Sequence, residues 1–411
     1  MSARIPRLLL PIILAFIAAG ATAATPAVPP IRHVFVLILE NQSYGASFGR
    51  SSQAPYLAQT LPSQGVLLTH YYAIGHASLD NYVALISGQA PNEQTQLDCP
   101  VFSEFQLSTP GLNRDGQALG SGCVYPRQVR TLPDQLEAAG LSWKGYMEDM
   151  GNDPQREPAS CGHVPLGAND PTGIPTVKDQ YAAKHDPFVY FHSIIDDRTR
   201  CDSHVVNLAR LRADLASVAS TPNYVFITPN LCNDGHDPKC ADGREGGFTA
   251  IDAFLRQWVP LITGSEAFRA DGLLIVTFDE SDSEGADGST ACCGEQPLPG
   301  ARYAPGFNGP GGGRIGAVVL SPFVKGGRMS EVPYNHYSLL RTVETIFSLP
   351  PLGYAAQPGA PWQLNPTFRQ HYPISTRPIC SMPCPQGLSC SMRNCAQSTP
   401  MSQRRICWRS V

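Results

Sequence analysis

The chain has 411 residues and a formal net charge of −4, which argues against a general nucleic-acid partner or an anionic membrane surface. With 42% of its residues hydrophobic, it can bury a sizeable core as one large domain or two ordinary ones. Thirteen cysteines point to an oxidising compartment, and no C-x2-C pair is matched to a second, which favours disulfides over a zinc site.

Residues 1–23 read as a signal peptide: Arg4 and Arg7 precede an apolar run from Leu8 to Ala19, followed by Ala21-Thr22-Ala23. The run is shorter than the ~20 residues a spanning helix needs, and no later stretch is apolar enough. The mature protein is therefore expected to lack a transmembrane segment and to be secreted or periplasmic. Residues 24–369 are expected to form the main domain.

His33–Leu39 is a continuous β-rich apolar run, as a strand buried on both faces should be. Runs at 224–228, 273–278 and 315–320 resemble it, and helical stretches fall near 79–87, 132–140, 204–218, 250–261 and 335–348. Strands separated by helices predict an α/β fold, with a mainly parallel central sheet flanked by helices on both faces. Residues 89–130 and 150–200 lack periodicity and read as loop-rich cap insertions, and the Gly/Ser/Pro-rich stretch 281–313 reads as a long active-site loop. Eight cysteines between Cys99 and Cys293 permit full pairing, although the adjacent Cys292 and Cys293 are expected to need other partners. The tail at 370–411 holds five cysteines and Arg377, Arg393, Arg404, Arg405 and Arg409, with no acidic residue. It is expected to be loop-like or pinned by disulfides.

In sheets of this kind, ligands bind beyond the C-terminal strand ends. There the first strand runs into Glu40-Asn41-Gln42-Ser43, the strand ending at Thr228 into Asn230 and Asp234-Gly-His236-Asp237, and the strand ending at Phe278 into Asp279-Glu280. Each alone reads as a cap or turn. Together at one edge they read as a site, because carboxylates beside buried strands are costly unless paired or metal-bound. The oxygen-rich set suits Ca²⁺, Mg²⁺ or Mn²⁺. Ser78 stands just ahead of a helical stretch, in Gly75-His76-Ala77-Ser78-Leu79-Asp80-Asn81-Tyr82. An isolated serine there is a helix cap. With these partners it reads as a nucleophile at an anion-binding helix N-terminus.

These motifs, with Thr277-Phe278-Asp279-Glu280 and Tyr334-Asn335-His336-Tyr337-Ser338-Leu339-Leu340-Arg341 running on to Leu352-Gly353, resemble the bacterial phosphoesterase family. That family holds secreted acid phosphatases and phospholipases C and belongs to the alkaline phosphatase superfamily. The resemblance covers roughly residues 31–355. It implies a divalent metal held by Glu40, Ser78, Asp279 and Glu280, with Asn41 close by, and a phosphoserine formed on Ser78. It further implies that Asn81, Asn41 and His185 bind the phosphate ester, and that His236 and His336 donate protons or stabilise charge. His76 and His185 stand between structural and functional roles, as loop histidines often do.

Two positions depart from the pattern: Ala77 and Asp80 stand where relatives often carry proline, and Asp80 adds a negative charge beside the site. The opening Glu40-Asn41-Gln42-Ser43-Tyr44 looks closer to the acid phosphatases than to the phospholipases C. The expected activity is thus phosphate monoester hydrolysis, with phosphoinositide or other phospholipid headgroups among the candidate substrates. A phospholipase C-type phosphodiesterase is the alternative, and a catalytically inactive secreted binding protein is the reading from another class. A sulfatase is disfavoured because no C/S-x-P-x-R setting is present.

Overall fold

The computed structural model describes residues 29–282 and 287–357. The expected signal peptide and the 370–411 tail lie outside the described residues. Eight strands build the central sheet: β1 (His33–Leu39), β2 (Val66–Leu68), β3 (Trp143–Met147), β4 (Val205–Asn207), β5 (Tyr224–Thr228), β6 (Gly272–Phe278), β7 (Ala317–Leu320) and β8 (Arg328–Ser330). They lie in the order β8-β2-β7-β6-β1-β5-β3-β4. From β6 through β1, β5 and β3 to β4 every pairing is parallel; β7 runs antiparallel between β6 and β2. This is the mainly parallel α/β sheet that the spacing of apolar runs predicts.

All seven residues of β1 are buried. Covered on both faces, each Val, Leu, Ile or Phe there contributes roughly 1.5–3 kcal/mol of transfer free energy. Around the sheet lie helices α1 (Ser78–Ser87), α2 (Leu132–Ala138), α3 (Gly247–Gly264) and α4 (His336–Ile346). Every residue of α1 is buried, and α1 packs against α4.

Two expectations are corrected. The helix expected over 204–218 is broken: a short helix ends at His204, Val205–Asn207 joins the sheet as β4, and two short helical turns follow at Leu208–Asp214. The β-branched Val205 and Val206 complete the vacant hydrogen-bonding edge of β3, pairing with Gly145 and Tyr146, so tertiary pairing overrides a local helical pattern. Cys292 and Cys293 bond to each other, with their Cα atoms 3.7 Å apart. The loop turns so that both sulfurs face one side, and it is held there by the bond from Cys293 N to Glu295 Oε2 at 3.0 Å. The other body cysteines pair as Cys99–Cys123, Cys161–Cys201 and Cys232–Cys240.

Within residues 89–130 the regular structure includes an antiparallel ribbon of Gln106–Leu112 with Ala118–Ser121. Residues 287–313 hold no strand or helix. They pack over the loop before α1, where the carbonyls of Pro305 and Gly288 accept bonds from His76 N and His76 Nε2.

Candidate active site

The register of the sheet assembles the site. Leu39 of β1 lies opposite Phe278 of β6, so Glu40 and Asp279 leave the sheet side by side. Their carboxylates interact directly, both fully buried. From β5, on the other flank of β1, the chain turns through Asn230 so that the Asp234 carbonyl accepts from Glu40 N at 2.9 Å. Three strand ends thus converge because their pairing partners are fixed.

Ser78 is the first residue of α1 and does not cap it; the cap position is Ala77. The Ser78 hydroxyl instead donates to Glu40 Oε2 at 2.9 Å. Tyr82, one turn on, donates its phenol to the other oxygen, Oε1, at 2.5 Å. The Leu79 N–H in the first turn is taken by Asp98 Oδ1 at 2.9 Å.

The electrostatics are those of a crowded acidic pit. Burial first, then the charges of Asp279 and Asp234, push Glu40 well above the usual carboxylate range. Burial does the same for Asp234 and raises Asp279. Asp279 Oδ2, Asp234 Oδ2, Asn41 Oδ1 and His185 Nε2 are all buried without a hydrogen-bond partner. His185 Nε2 lies 3.3 Å from Glu40 Oε2 and its Nδ1 lies 3.8 Å from Asp234 Oδ2. Burial, aided by Lys184 and His236, holds that imidazole well below its ordinary pKa, so it is neutral with a lone pair to offer. Unpartnered buried acceptors are expensive, and a set of carboxylate, amide and imidazole donors fits a divalent cation.

Other expected members sit differently. Asn41, at φ 51°, donates Nδ2 to Glu280 Oε1 at 2.8 Å and its backbone N–H to Asp279 Oδ1 at 3.0 Å. The other Glu280 oxygen pairs with His76 Nδ1. Burial opposes charge on His76, but the bond and charge of Glu280 and the Gly288 carbonyl raise its pKa. Asn81 spends its amide on the loop before α1, accepting from Ile74 N and Gly75 N and donating to the Gly75 and Ala77 carbonyls. His336 uses both ring nitrogens, Nε2 to the Asp279 carbonyl at 2.6 Å and Nδ1 to Tyr71 Oη at 3.2 Å. Burial lowers its pKa to about 4. His236 stands at the rim with its side chain 46% exposed. Asp80 is buried with neither carboxyl oxygen partnered; burial, then Glu280, Asp98 and Asp279, push its pKa well up.

Sequence reading missed four contributors. Asp234 was visible at the strand end but was not placed among the ligand candidates. Tyr82 lay inside the serine motif with no sign that its hydroxyl reaches Glu40. Asp98 and Lys184 come from the aperiodic segments 89–130 and 150–200, and no local signal could link them across the chain.

Residues 50–350 match the model of the Phosphoesterase family. The chain belongs to that family. It is 26% identical to a probable acid phosphatase of Kluyveromyces lactis over 82% of this chain and 64% of that protein. It is 29% identical to a phosphate-repressible acid phosphatase of Penicillium chrysogenum over 71% of this chain and 54% of that one. This Phosphoesterase family chain therefore spans between about half and two thirds of the length of these fungal relatives. A phosphatidylinositol-3-phosphatase of Mycobacterium tuberculosis is 26% identical over 81% of this chain and 82% of its own length. Among solved structures, an alkaline phosphatase superfamily protein from Vibrio parahaemolyticus aligns with TM-score 0.45 and 13% identity, over 80% of this chain and 70% of that one.

Proposed function

We propose that this chain is a secreted, metal-dependent phosphoric ester hydrolase that cleaves phosphate monoesters through a phosphoserine on Ser78. In this reading a signal peptide ends at Ala23, residues 24–369 carry catalysis under caps at 89–130 and 150–200, and 370–411 form an accessory tail. The observation that carries the proposal is the pairing of Ser78 Oγ with Glu40 Oε2, beside buried acceptors that lack partners. Family membership and the acid phosphatase relatives support the reaction class, and the phosphatidylinositol-3-phosphatase relative supports a phosphoinositide headgroup as a substrate to test.

Glu40, Asp279 and Ser78 would hold the cation, with His185 between Glu40 and Asp234 and Glu280 steadied by Asn41. When bound, that cation supplies Lewis-acid stabilisation of the charge that develops during phosphoryl transfer. Glu40 aims the Ser78 hydroxyl, with its proton on Oε2. As Ser78 Oγ bonds to phosphorus its proton passes to Glu40 Oε2, and the departing ester oxygen takes a proton from His236. Water then attacks the phosphoserine, giving one proton back to His236, and Ser78 Oγ leaves with the proton held by Glu40. Asn81 shapes the nucleophile loop, and neutral His336 holds the Asp279 backbone.

The test is p-nitrophenyl phosphate hydrolysis across divalent metals, with phosphatidylcholine as the phospholipase C comparison. Ser78→Ala is expected to lose at least about three orders of magnitude in kcat with its melting temperature retained. A chelator should abolish turnover, and an added divalent cation should restore it. Activity retained in Ser78→Ala sinks the nucleophile, and indifference to chelation in protein shown to be metal-free sinks the metal.

A further inference from the structure

The cap brings a cation to this acidic pit. Lys184, in a single helical turn at Ala183–His185, donates Nζ to Asp98 Oδ2 at 2.8 Å. The other oxygen of Asp98 accepts from Leu79 N in the first turn of α1, so the width of one carboxylate separates the ammonium from the nucleophile helix. The neighbouring residue, His185, stacks on Tyr82 with ring centroids 5.4 Å apart and approaches Glu40. The Lys184 charge is felt by Glu40 and Asp279 and by Asp234.

The pair is only partly covered, Lys184 at 18% and Asp98 at 23% side-chain exposure, so it is not sealed in the core. An ammonium carries three donors, and Asp98 takes one. We propose that Lys184 is the substrate-binding cation that takes a non-bridging oxygen of the phosphoryl dianion, selecting monoesters over diesters, and that Asp98 is the positioning residue that aims it. The inference rests on the phosphoesterase reading. A monoester brings two negative charges and three free oxygens into a site rich in carboxylates. A diester brings one charge and two free oxygens, and its second substituent occupies the place where an ammonium would bind. The opposite-charge contact is therefore worth most to the monoester, in a setting shielded from water.

The test compares full-length, metal-loaded wild type with Lys184→Met, Lys184→Arg, Asp98→Asn and the double variant Asp98→Asn/Lys184→Met. The double variant removes both charges, so no carboxylate is left unpaired if Lys184→Met fails to fold. Kinetics on p-nitrophenyl phosphate and bis-p-nitrophenyl phosphate are read alongside calorimetric binding of inorganic phosphate. Both variants with methionine at 184 should lose on the order of 100-fold in kcat/KM for the monoester and less than about 10-fold for the diester, with phosphate affinity falling in parallel. Asp98→Asn, which keeps the ammonium but loses the carboxylate that aims it, should lower the monoester preference by less than the methionine variants do, and Lys184→Arg should restore part of it. Equal losses on both esters, or unchanged phosphate affinity in the double variant, overturn the proposal. A wild type that turns over neither ester overturns the phosphoesterase reading instead, and the clamp then stands or falls on the calorimetry.

Discussion

Glu40 is a single carboxylate with two hydroxyl donors, Ser78 on Oε2 and Tyr82 on Oε1. The two bonds do different work. On the proposed mechanism Ser78 is the reacting group, while Tyr82 orients the acid and spreads its charge, as groups behind metal ligands do. Tyr82→Phe removes that donor and leaves the aromatic packing. Its kcat or metal affinity is expected to fall about 10- to 100-fold, and the loss of a bond to a buried acid should cost about 1–3 kcal/mol. Steady-state kinetics with metal titration and urea unfolding measure the two effects. An unchanged metal affinity together with unchanged kcat contradicts the role. Asp80 shows how a residue-level expectation changes in context. Its charge was expected to sit beside the substrate, but the side chain is buried with neither oxygen partnered, and that setting suppresses ionisation.

At the scale of elements, α4 is tied to the site at its first turn. Asn335 caps it, accepting from Ser338 N at 2.9 Å, and donates Nδ2 to Glu295 Oε1 at 3.0 Å. The other oxygen of Glu295 holds Cys293 N, so the loop with the Cys292–Cys293 bond is fastened to the helix that presents His336. Asn335→Ala removes the cap and the Glu295 contact. It is expected to cost about 1–2 kcal/mol, readable as a lower urea midpoint. Turnover should fall as well, because His336 no longer anchors the Asp279 carbonyl. A loss of stability with turnover fully retained would separate the cap from the site.

Over the whole molecule, burial raises several carboxyls: Glu148 to about 7, Asp186 to about 7 and Glu344 to about 8. Each is protonated in the folded chain across a range where the unfolded chain, near pKa 4, has ionised. The folded state then binds more protons, so stability is full below about pH 4 for these groups and falls as pH rises through their folded pKa values, by about 1.4 kcal/mol per group and pH unit. The melting temperature is therefore expected to drop between pH 5 and 8, and less steeply in Glu344→Gln. A divalent cation should raise it, and by more at pH 7 than at pH 5, since its ligands must be deprotonated. Calorimetry across pH with and without cation checks both; a flat profile contradicts them.

Sequence alone determined the sheet and its polar edge. The runs at 33–39 and 224–228 are strands because apolar β-branched segments of that length must bury both faces, and polar residues that directly follow such strands have to gather where the strands end. Ser78 at a helix start was legible for the same local reason. What only the tertiary structure decided are contacts across long chain separations: Val205–Asn207 drawn to the sheet edge instead of a helix, Cys292 closing on Cys293, Tyr82 reaching Glu40, and Asp98 and Lys184 brought to the first turn of α1. Periodicity reports which face of an element is buried. It carries no information about which distant side chain meets it there, and that pairing is set by register and by the segments 89–130 and 150–200 that bring Asp98 and Lys184 to α1.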